Sequence, residues 1–159
     1  MRAGAIRLWV AVMLACTAVP SQAQEREATA QETRLVRDCA AKHADDGEGE
    51  RECAFKLVAD PCAEKDGSNL GTANCYRMEE AIWDRLLNEN YEELMGSIDD
   101  KRDRDKLKEM QRAWIGYRDT TCDFYWYKTH GSMSVPMNAS CRLRETARRA
   151  LLLAFFQKI

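Results

Sequence analysis

Apolar positions recur at helical spacing in five stretches of this chain, separated by polar or glycine-broken segments. Residues 24–43 predict a polar helix whose thin apolar side is Ala28, Leu35, Val36, Cys39 and Ala40. The acidic stretch 45–50 reads as a solvated loop, because it lacks the ligand spacing of an EF-hand. A short helix is expected over 51–58, closed by Asp60-Pro61, since the residue before proline avoids helical geometry. From Thr72 as N-cap to Gly96 as C-cap the pattern predicts one long helix. Its Cys75, Ile82, Trp83, Leu86, Leu87, Tyr91, Leu94 and Met95 cover more than half the circumference, a width that implies burial against several neighbours.

Residues 97–105 form a charge-rich hinge in which Ser97 or Asp99 caps the next helix. Placed at about 100° per residue, Leu107, Met110, Trp114, Tyr117, Thr121 and Tyr125 then share one stripe, with Gln111 and Arg118 on its edge. A charge beside a core face needs partners, and Asp84 and Asn88 lie on the edge of the apolar surface of the long helix before it. The expected network is therefore an Asp84–Arg118 pair closed by Asn88 or Gln111, with Trp114 and Tyr117 filling the core. Its role is structural, because semi-buried ion pairs fix helix register more often than they perform chemistry. Residues 128–136 show no periodicity and read as a loop. A last helix, capped by Asn138 or Ser140, carries Leu143, Ala147, Ala150, Leu151, Ala154 and Phe155, with Arg142, Arg144, Arg148 and Arg149 on a solvated side. The fold class is all-α: a small bundle of about four to five helices, with two long antiparallel helices and a C-terminal one.

The first 23 residues are of another kind. Arg2 and Arg7, the apolar run 8–15, and Ser21 and Ala23 at minus three and minus one predict a secretory signal peptide cut after Ala23. The rival is lipoprotein processing at Cys16, where Met13, Leu14 and Ala15 loosely match a lipobox. The first places the chain in the periplasm or outside the cell, beginning at Gln24; the second anchors it to a membrane. The remainder divides into a helical extension over 24–60 and a main helical domain over 61–159, packed as one unit.

Arg2 and Arg7 leave with the signal, so 24 basic residues become 22 against 26 acidic ones, a net charge of −4 that disfavours nucleic acid as partner. Six cysteines remain, Cys39, Cys53, Cys62, Cys75, Cys122 and Cys141, an even set that in an exported chain reads as disulfides. Six cysteines allow about fifteen connectivities. Proximity in sequence favours Cys39 with Cys53, Cys62 with Cys75, and Cys122 with Cys141, the last tying the base of the 128–136 loop. No Cys-x-x-Cys is present, and His43 and His130 are isolated, so neither a metal nor a cofactor is expected. No Ser-His-Asp arrangement, phosphate-cradling glycine loop or paired-carboxylate signature supports an enzyme, and no catalytic residue is assigned.

Cys62 and Cys75 ahead of Asp84, Leu87, Asn88 and Tyr91, then Gln111, Trp114, Tyr117, Arg118, Asp119 and Cys122, and finally Cys141, resemble the lysozyme inhibitor LprI-like family in order and spacing. The pattern D-x-x-L-N-x-x-Y followed by Q-x-x-W-x-x-Y-R-D-x-x-C spans about residues 62 to 153. The segment bearing Cys39 and Cys53 is not required by that core pattern. The resemblance implies a small exported helical protein of bacteria that inhibits lysozyme or a similar cationic cell-wall hydrolase. An acidic chain favours encounter with a basic partner, and Lys128, His130 and Ser132 are the candidate target-binding residues, entering a carboxylate-lined cleft. The alternative is a structural or adaptor module of the envelope without a hydrolase target.

Overall fold

The computed structural model describes residues 26–159; the expected signal peptide, its cleavage site and Cys16 lie outside the described residues. Among these residues the chain forms six α-helices and one 3-10 turn, stapled by three disulfides. No helix among them is long and apolar enough to cross a membrane.

Helix α1 (Ala30–Lys42) starts later than its apolar pattern suggests, because Thr29 fixes its end. The Glu32 amide donates to Thr29 Oγ1 at 3.2 Å and the Thr29 amide donates to the Glu32 carboxylate at 2.8 Å, a reciprocal capping box. Arg26 adds a charge-assisted hydrogen bond that, with the cap, holds the Glu32 carboxyl down at about 2.

The helix expected over 51–58 is only partly formed: α2 (Gly49–Cys53) ends before Phe55, whose φ is +70°, residues 54–58 are a turn, and a separate helix α3 (Ala59–Asp66) begins beyond it. Pro61 does not close a helix; it sits in the first turn of α3, where a missing N–H costs nothing. The same tolerance corrects the expected 128–136 loop. Pro136 lies in the first turn of α6 (Ser134–Phe156), and Gly131–Met133 is a 3-10 turn, so only residues 129 and 130 join α5 to helical structure.

Helix α4 (Asn69–Ser97) begins one turn before Thr72, since Ser68 Oγ accepts from the Gly71 amide at 3.0 Å, and it runs through Gly96. Helix α5 (Lys101–Lys128) is capped by Asp100 rather than Ser97 or Asp99, its carboxylate accepting from the Arg102 amide at 2.6 Å. Arg104 ties the turn between the two helices by donating to the carbonyls of Ile98 at 2.7 Å and Asp99 at 3.0 Å.

Helices α4 and α5 pack mainly on α6 rather than on each other. Leu143, Ala147, Ala150 and Leu153 of α6 are fully buried and join Ile82, Trp83 and Leu87 of α4, Leu107 of α5, and Val36 and Ala40 of α1 in one core. Alanines at two of these α6 positions let neighbouring helices approach closely. The bridges Cys39–Cys53, Cys62–Cys75 and Cys122–Cys141 fasten α1 to α2, α3 to α4, and α5 to α6, with Cα separations of 5.7, 5.7 and 5.4 Å.

Candidate functional site

The residues singled out on α5 meet α6, not the wall of α4 where partners were expected. Gln111 Oε1 accepts from Arg149 Nε at 2.9 Å. Trp114 lies under two guanidiniums, Arg118 at 4.9 Å and Arg149 at 5.6 Å from its ring centroid. Arg118 pairs with its neighbour Asp119 at 3.0 Å, and Asp119 also receives Arg142 Nη1 at 3.0 Å. Arg142 extends the chain of charges to Glu80 of α4 at 3.5 Å. The expected Asp84–Arg118 pair does not form: Asp84 accepts from Asn88 on its own helix at 3.1 Å, and both are exposed. Tyr117, expected in the core, is 54% exposed. The physical reason is the position of α6, whose arginines, read as a solvated face, reach α5 before α4 can. Arg149 is only 5% exposed and Nη2 has no hydrogen-bond partner among the described residues.

Two adjacent carboxylates of α4 escaped the sequence reading. Glu79 is fully buried and accepts three N–H donors: the Phe55 amide at 2.9 Å, the Ala59 amide at 2.8 Å and the Trp83 indole at 3.0 Å. It thereby caps α3 from another helix and pins the left-handed turn at Phe55. Burial pushes its carboxyl up, against the pull of those donors. Burial likewise raises Glu80, opposed by Arg142 and Arg118. The available signal was a Glu-Glu pair between Met78 and Ile82, on the apolar side of a helix.

The α5–α6 corner holds the residues expected to meet a target. Lys128 ends α5, and His130 follows, exposed, at φ +56°. Ser132 is exposed and its Oγ accepts from Asn69 Nδ2 of α4 at 3.0 Å. The corner is held rigidly from beneath. Asn138, 7% exposed, donates to the Cys122 carbonyl and to Asp123 Oδ1, each at 3.1 Å, beside the Cys122–Cys141 bridge, and Ser134 Oγ donates to the Gly131 carbonyl at 2.6 Å. Along α5 toward this corner Tyr117, Phe124 and Tyr127 stand 54%, 60% and 74% exposed, with Ile115 and Trp126 exposed on another side. Among the described residues no group of three or more His, Cys, Asp or Glu is placed to hold a metal ion.

A concavity of about 530 Å³ lies elsewhere, beside the Cys62–Cys75 bridge, where Leu57, Val58, Pro61 and Met78 give an apolar floor under Arg26 and Lys65. A second, about 480 Å³, runs between α5 and α6 next to the corner.

Comparison with known proteins gives two matches. The family model described as lysozyme inhibitor LprI matches residues 60–153, more than half of the chain. An uncharacterized protein of Rhizobium meliloti (strain 1021) is 29% identical over 154 residues, covering 94% of this chain and 90% of that one. No solved structure matches.

Proposed function

We propose that this chain, which belongs to the lysozyme inhibitor LprI family, is an exported binding protein that inhibits a cell-wall hydrolase of the lysozyme class. The family match is the observation that carries the reading, and three disulfides accord with life outside the cytoplasm, in the periplasm or beyond it. The protein acts by binding, not by catalysis. Its partner is a cationic hydrolase, which the excess of acidic residues draws in at long range.

The contact surface in this reading is the α5–α6 corner. Lys128 and His130 project from a stapled, hydrogen-bonded turn and lose little conformational entropy on docking. A cation presented on a rigid tip suits the acidic cleft of a glycosidase, whose carboxylates are its chemistry. Exposed Tyr127 beside Lys128 supplies the aromatic area that interface hot spots favour.

The test is turbidity of a peptidoglycan suspension treated with lysozyme in the presence of the disulfide-intact protein. Clearing should slow in proportion to added protein, and the Lys128→Ala, His130→Ala double variant should relieve the block. Undiminished clearing at excess protein would refute the reading and leave the adaptor alternative.

A further inference from the structure

The groove between the C-terminal half of α5 and α6 carries three cations, Lys128, Arg144 and Arg148, against one carboxylate, Glu145. That carboxylate is already engaged, accepting from Arg148 Nη1 at 3.2 Å, and Arg148 also holds Glu50 of α2. Arg144 is held from behind: its guanidinium lies 5.4 Å above the Phe55 ring and its Nε pairs at 3.8 Å with Glu50, a carboxylate it shares with Arg148. Lys128 makes no ion pair among the described residues. With Glu50 counted, three cations stand against two carboxylates, so the groove keeps one positive charge in excess on a chain of net negative charge, and its rim is Phe124, a ring 60% exposed.

We infer that this groove binds an acidic saccharide, a sugar bearing a carboxylate. A pyranose ring offers an apolar C–H face to an aromatic ring, its hydroxyls suit Thr121 and Glu145, and its carboxylate matches Lys128 and the free edge of Arg144. The walls favour a saccharide over an acidic peptide. Both are helices whose backbone groups are used internally, so they present no edge for an extended strand. Stacking and cations also suit single-stranded nucleic acid, but that ligand would have to approach against the acidic balance of the whole chain.

The groove shares Lys128 with the inhibitory reading but does not depend on it, and the proposal is tested without a hydrolase. The full chain with its bridges intact is titrated, by amide NMR shifts, with two disaccharides that differ by one lactyl carboxylate: N-acetylglucosaminyl-N-acetylmuramic acid and chitobiose. Amides of Thr121, Phe124, Lys128 and Arg144 should shift with the acidic sugar and stay in place with the neutral one. Lys128→Ala should weaken binding about tenfold, the loss of one charge-assisted contact, and Phe124→Ala should weaken it further while leaving the circular dichroism spectrum unchanged. His130→Ala should not affect it, which separates this groove from the corner of the inhibitory reading. Equal shifts with chitobiose, stronger shifts with pentaglutamate or a thymidylate oligomer, or no shifts at saturating sugar would each overturn the assignment.

Discussion

Arg149 of α6 and Gln111 of α5 meet at 2.9 Å, and this neutral amide oxygen is the only hydrogen-bond acceptor that the buried guanidinium finds among the described residues. A charge held by one amide and the face of Trp114 is sensitive to loss of either. Gln111→Ala should therefore cost about 2–4 kcal/mol, because it leaves a desolvated cation without its acceptor. Arg149→Met, which removes the charge and keeps the bulk, should cost less. Urea unfolding of both variants decides the order, and a larger loss for Arg149→Met would show the cation to be a net asset.

The correction at Asp84 gives a second expectation. Arg118→Ala removes the stack on Trp114 and the pair with Asp119, so it should lower the melting temperature clearly. Asp84→Ala touches an exposed side chain and should stay within about 0.5 kcal/mol of the parent. A double-mutant cycle of the two should return a coupling near zero.

Glu79 is linked to pH with a definite sign. Its folded carboxyl is raised above the ordinary value, so its contribution is fully present below the unfolded pKa and falls as pH rises through the folded one. Glu79→Gln, which sets a donor either against the Ala59 amide or against the Phe55 amide and Trp83 indole, should cost about 1–3 kcal/mol and should abolish that decline. Stability measured from pH 4 upward in parent and variant would show two parallel curves if the assignment is wrong.

Glu32 runs the other way. Held at about 2 by Arg26 and its cap, it contributes stability above the ordinary carboxylate range that is lost as pH falls from there toward 2. Arg26 is about half exposed and water screens the pair, so Glu32→Gln should cost only about 0.5–1 kcal/mol near neutral pH. Amide exchange of the first turn of α1, faster in the variant at pH 6 and equal in both at the acid end, is the direct readout.

The sequence made the long helices legible because burial on one side imposes a helical period that composition cannot disguise. Ile82, Trp83 and Leu87 marked α4, and Leu143, Ala147 and Ala150 marked α6. The helix starts at Ala59 and Ser134 were not legible, because a proline that ends one helix and a proline in the first turn of another look alike in a single sequence. Partner assignment failed at Asp84 and Arg118 for a different reason. Phase tells which side of a helix a residue occupies, not which helix lies there, and Arg142 and Arg149 looked solvated because arginine usually is. The candidate corner was found as a cation and a histidine in an aperiodic segment, whereas the adjoining groove depends on Arg144 and Arg148 approaching from a helix that follows it in the chain.

Helix α6 follows α4 and α5 in the chain, yet it supplies the surface on which both of them rest. Until α6 has emerged behind them, those two long helices exist without their support, and their apolar sides stay open to any holdase. The covalent links impose no such wait. Each bridge closes within its own short span of 13 to 19 residues and none encloses another, so oxidation can proceed in the order of synthesis without reshuffling. A chain cut short within α6 before Cys141 would accordingly keep its first two bridges and lose its core, a product that is oxidised, helical and unable to settle.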